Sequence, residues 1–97
     1  MAYIVDFSPL ARLELLQAED WYLQEDIQKG DAFFADVART EQFLRSNPYL
    51  YAKVDGDVRR AVLKRFPYSF FYTVDDEVVT VLSCFHHNRE PVSFIES

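Results

Sequence analysis

The spacing of apolar residues changes period as the chain is followed from its start. Residues 3–7 read Tyr-Ile-Val-Asp-Phe, a β-branched and aromatic run that predicts a short strand. Ser8-Pro9 then reads as a helix start, with serine as the cap and proline at the first helical position, where its missing N–H costs nothing. Ala11, Leu15, Ala18 and Tyr22 recur at helical spacing, Leu16 and Leu23 widen the stripe, and acidic residues fill the other face. Gly30 interrupts the pattern, and Asp31 is placed to cap a second helix with Phe33, Phe34, Val37, Phe43 and Leu44 on its apolar side. Asn47-Pro48 ends that helix, because the residue before a proline is pushed out of the α region. So short a break predicts an antiparallel helical hairpin, which needs a sheet to pack on.

The second half has the period of strands. Asp55-Gly56-Asp57 is a turn signal. From Val58 to Phe66 two registers alternate, with Arg60, Val62, Lys64 and Phe66 on one face and Arg59, Ala61, Leu63 and Arg65 on the other. Pro67 breaks the run, Tyr68 to Val74 is a second strand, and Asp75-Asp76 turns the chain into a third from Glu77 to His86. Short turns between consecutive strands make an antiparallel meander. The order β-α-α-β-β-β predicts an α+β fold, a helical hairpin on a mostly antiparallel sheet, in one domain spanning residues 1–97. Trp21-Tyr22 and Phe66 are expected in the core between helices and sheet.

Composition adds limits. Nine Phe, six Tyr and one Trp in 97 residues give a small core much apolar area per residue. Cys84 is the only cysteine, so no intramolecular disulfide forms, and its place inside an apolar strand suits inert packing better than nucleophilic work. The start lacks the pattern of a signal peptide and no apolar run approaches membrane-spanning length, which predicts a cytoplasmic protein with no membrane partner.

Net charge is −6, which argues against a general nucleic-acid binder. Its distribution is uneven. Between Ser8 and Ser46 eight acidic residues face four basic ones, whereas Arg59 to Arg65 holds Arg59, Arg60, Lys64 and Arg65 and no acid. His86, His87 and Arg89 follow at the end of the last strand, within reach of a shared sheet face. Arginine forks and a lysine point charge suit phosphate or carboxylate, and an imidazole serves as general acid or base. Such a set would support RNA cleavage through an activated 2′-hydroxyl; equally, it would form a solvated strand face paired with nearby acids. Adjacent His86 and His87 point to opposite faces, so no metal site is expected, and with only Gly30 and Gly56 there is no phosphate-binding glycine loop and no cofactor.

Taken in order, Phe7-Ser8-Pro9, Asp20-Trp21-Tyr22, Asn47-Pro48, Arg59-Arg60, Phe66-Pro67-Tyr68, Tyr72 and His87-Asn88-Arg89-Glu90-Pro91 resemble the RelE/ParE superfamily of type II toxin–antitoxin toxins over nearly the full length. The resemblance implies a stable toxin encoded beside a labile antitoxin, whose C-terminal segment wraps and blocks it. RelE-like members cleave mRNA in the ribosomal A site; ParE-like members inhibit DNA gyrase without cleavage chemistry. The acidic charge, the Phe-Pro-Tyr form shared with the plasmid-stabilisation group, and Phe94 where many nucleases carry a tyrosine favour the ParE-like branch. On that reading Arg59, Arg60, Lys64, Arg65, His87 and Arg89 bind the target or the antitoxin. On the RelE-like alternative, with ribosome and mRNA as partners, Arg60, Lys64, Arg65, His87 and Arg89 are catalytic candidates. A non-toxic interaction domain that retains the fold is the third reading. The wide apolar stripes suit either an antitoxin groove or a homodimer.

Overall fold

The computed structural model describes residues 2–87. Strand β1 (Ile4–Phe7) leads into helices α1 (Pro9–Glu25) and α2 (Ile27–Ser46), followed by strands β2 (Lys53–Asp55), β3 (Val58–Val62), β4 (Tyr68–Asp75) and β5 (Val78–His86). The five strands form one sheet in the order β1-β5-β4-β3-β2. β1 runs parallel to β5, and every other pairing is antiparallel. The helical hairpin packs on one face, giving the expected α+β architecture.

Ser8 caps α1 as its sequence position implies: its Oγ accepts from the Ala11 amide at 3.1 Å. The same hydroxyl donates to the Leu82 carbonyl at 2.9 Å, fastening the helix start to β5. The hairpin break, expected at Gly30 and Asp31, falls instead at Asp26. Asp26 ends α1 through its backbone N–H to the Tyr22 carbonyl and caps α2 by accepting from the Gln28 amide. Gly30 lies inside α2, where an added Cβ would fall 2.2 Å from Leu23 Cδ2. Its purpose is close approach of the two helices, and a glycine that permits contact reads in sequence like one that ends a helix.

Two departures mark the sheet. The three-residue strand β2 is too short to give a periodic signal. More telling, β3 stops at Val62, although alternation continues to Phe66. Asp36, wholly buried on α2, accepts the amides of Lys64 (3.3 Å), Arg65 (2.7 Å) and Phe66 (3.1 Å), and pairs with Arg39 at 3.3 Å. Backbone donors that would extend the ladder are turned toward a helix.

Ala11, Ala18, Phe33, Val37 and Leu44 from the helices meet Phe70, Tyr72, Val79, Val81 and Cys84 from the sheet. Tyr22, Phe33, Phe66 and Tyr68 form an aromatic cluster with ring centroids 4.9–6.3 Å apart. Tyr22 and Phe66 therefore belong to the core as expected. Trp21 does not: it is 63% exposed, because a step of one residue rotates it about 100° from Tyr22, off the buried stripe. Leu16, Leu23, Phe34 and Phe43 are also exposed, so the apolar stripes are wider than the core they serve.

Asp36→Ala is expected to lower unfolding free energy by about 3 kcal/mol, since several partly buried amides lose their acceptor together. Trp21→Ala should stay within about 0.5 kcal/mol of the parent. Urea denaturation of both variants measures this; a large loss for Trp21→Ala would place the indole in the core.

Candidate functional site

The basic strip divides on folding. Arg59 and Arg60 are adjacent on β3, so their side chains leave on opposite faces. Arg59, opposite Tyr72, donates to the carbonyls of Tyr51 (2.6 Å) and Tyr49 (3.2 Å) and lies 5.1 Å from the Tyr49 ring centroid. It clamps the segment that follows α2. Tyr72 works beside it, its hydroxyl donating to the buried Pro48 carbonyl at 2.5 Å. Burial pushes the Tyr72 phenol up to about 12, against the opposing influence of Arg59. Tyr72 is thus a structural tyrosine, held neutral.

Arg60 takes the other face. Its Nε donates to Ser69 Oγ at 2.9 Å, and Ser69 Oγ lies 2.8 Å from His87 Nε2. The guanidinium carbon is 5.9 Å from the Phe71 ring centroid. β3 and β4 pair Arg60 with Phe71 and Val62 with Ser69, while the His87 amide donates to the Pro67 carbonyl at 2.9 Å. Arg60 and His87 are therefore brought together across β4 by a wholly buried serine. Arginine can only donate, so Ser69 Oγ accepts from it; toward His87 the hydroxyl donates to a bare Nε2 or accepts from a protonated one, according to the imidazole tautomer. Ser69 had no sequence signal beyond being the one non-aromatic residue in the run 68–72 that opens β4.

Lys64 and Arg65 have exposed side chains on the loop that Asp36 holds through their amides. Arg89 and Phe94 lie outside the described residues. Cys84 is buried and its thiol is pushed up to about 12, first by burial and then by the Glu14 carboxylate, which fits inert packing. Among the described residues, no group of three or more His, Cys, Asp or Glu side chains is arranged to hold a metal ion. Among them, too, no helix is long and apolar enough to cross a membrane.

The site thus sits on a small α+β fold, a helical hairpin laid across a five-stranded sheet with Arg60 and His87 gathered on the opposite face. The chain belongs to the family described as ParE toxin of type II toxin-antitoxin system, parDE, whose profile matches residues 5–91. Among solved structures, a chain of the chromosomal ParDE toxin–antitoxin system from P. aeruginosa is similar, with TM-score 0.73 and 18% identity, covering 88% of this chain and 96% of that one. A chain of the RelBE2 toxin–antitoxin complex from Mycobacterium tuberculosis is similar with TM-score 0.64 and 20% identity, covering 89% and 99%. At these identities the likeness is one of fold. Comparison with curated proteins finds no match.

The pKa shifts give a test of the neutral core groups. Burial raises Tyr72 from 10.0 and Cys84 from 9.0, each to about 12, and also raises Tyr22 and Tyr51. Their folded values exceed their unfolded ones, so the stability of the neutral forms is fully present below pH 9 and is lost as pH rises toward 12. Thermal melts should show Tm falling progressively through that window. Tyr72→Phe should melt lower at pH 8, for want of the Pro48 bond, yet decline less steeply in alkali.

Proposed function

We propose that the chain is a ParE-like toxin that inhibits DNA gyrase by docking on it and is neutralised by a cognate antitoxin. The observation that carries this reading is the division of the basic strip. RNA cleavage asks several groups to converge on one phosphate and to exchange protons with it. Here Arg59 is spent on the Tyr49 and Tyr51 carbonyls, and among the described residues of the basic strip only Arg60 joins His87, with the imidazole Nε2 engaged by Ser69. An arginine stacked near Phe71 and pinned by a buried hydroxyl is suited to recognition of a carboxylate or a backbone carbonyl on a protein. A net charge of −6 fits a protein target better than ribosomal RNA. The solved relatives come from toxin–antitoxin systems, which supports an antitoxin as the natural inhibitor.

Purified protein is expected to abolish supercoiling by gyrase while leaving mRNA on programmed ribosomes intact. Arg60→Ala should weaken that inhibition about tenfold or more with little change in Tm, as loss of a central arginine contact does. Cleaved mRNA with normal supercoiling would instead assign Arg60 and His87 to catalysis. Neither effect, together with unimpaired growth on induced expression, would mark an inert interaction domain.

A further inference from the structure

A cleft of about 550 Å³ opens between α1 and the sheet, lined by Glu14, Gln17, Ala18, Trp21, Tyr22, Tyr68 and His86. Its floor holds a positioned carboxylate. Ser83 Oγ donates to Glu14 Oε1 at 2.7 Å, and the Cys84 amide donates to the same oxygen at 3.0 Å. Both bonds fall on Oε1. The walls are aromatic: Tyr22 and Tyr68 meet edge to face at 6.3 Å, and Tyr68 meets His86 in the same way at 5.0 Å. Trp21 stands at the rim, 63% exposed, where the fold gains little from so large an apolar surface.

We propose that this cleft is a cation-binding site that takes an arginine side chain presented by the antitoxin. The Trp21 indole and Tyr22 phenol beside a carboxylate attract a cation twice, through the negative faces of their π systems and through the charge itself. A planar guanidinium can stack on the indole while forking toward the carboxylate, which ammonium cannot do. The fixed carboxylate repels phosphate and carboxylate ligands and would be left badly desolvated beneath a purely apolar one. The surrounding charge agrees, since the segment from Ser8 to Ser46 carries eight acids against four bases. The antitoxin as carrier rests on the proposed function; the chemistry of the cleft does not.

Trp21 is the only tryptophan, so its emission reports on this cleft alone. Titration with N-acetylarginine amide should give a saturable change in emission that weakens as salt is raised. The neutral isostere N-acetylcitrulline amide should bind at least tenfold more weakly. Glu14→Gln, which keeps a carbonyl oxygen for Ser83 and Cys84, should weaken arginine binding tenfold or more without loss of Tm. An equal response to citrulline, no saturable response, or undiminished binding by Glu14→Gln would overturn the proposal. Should Glu14→Gln fail to fold, Trp21→Leu read by calorimetry replaces it: lost binding supports the site, and full binding overturns it. Gyrase takes no part in these titrations, so failure of the arginine site and failure of the proposed function are told apart.

Discussion

One buried carboxylate ties the loop between β3 and β4 to the helices. Asp36 lies wholly within the core, and on its own helix its carboxylate pairs with Arg39. It also gathers the amides of Lys64, Arg65 and Phe66, ending β3 and folding the following loop inward. That loop carries Phe66 into the aromatic cluster and sets Pro67, whose carbonyl receives the His87 amide. A charge taken out of water is costly unless its acceptor sites are filled, so the carboxylate and the loop require one another. Without this junction the chain between β3 and β4 would have no reason to leave the ladder.

The two faces of the sheet follow from that arrangement. On the helix side, Arg59, Tyr72 and Pro48 lock the segment between α2 and β2 against the core, through hydrogen bonds to main-chain carbonyls. On the far side, Arg60, Ser69 and His87 form a chain of hydrogen bonds across β4. Adjacent arginines thus serve unlike ends. One completes the fold, and the other is held on the open face by Ser69 and Phe71.

Exposed apolar and acidic groups lie on the hairpin. Leu16, Leu23, Ile27 and Phe34 remain in solvent, as does Trp21 beside the Glu14 cleft. Apolar area of this extent on a small chain marks surface kept for association. Acidic residues outnumber basic ones eight to four along the same hairpin, from Ser8 to Ser46.

Periodicity, caps and turn residues determined the elements. Ser8-Pro9 started α1, Asn47-Pro48 closed α2, Asp55-Gly56-Asp57 and Asp75-Asp76 turned the strands, and the resulting order gave the α+β architecture and its family resemblance. These signals are local, since each depends on the backbone preferences of a few neighbouring residues. What only the tertiary structure decided involved residues distant in sequence: Asp36 cutting β3 short, Leu23 needing Gly30 inside α2, and Ser69 joining Arg60 to His87. Trp21 shows the same limit, because which flank of a wide stripe is covered depends on the shape of the sheet beneath it. Alternation in sequence says that Arg59 and Arg60 part company, but not which of the two the core will claim.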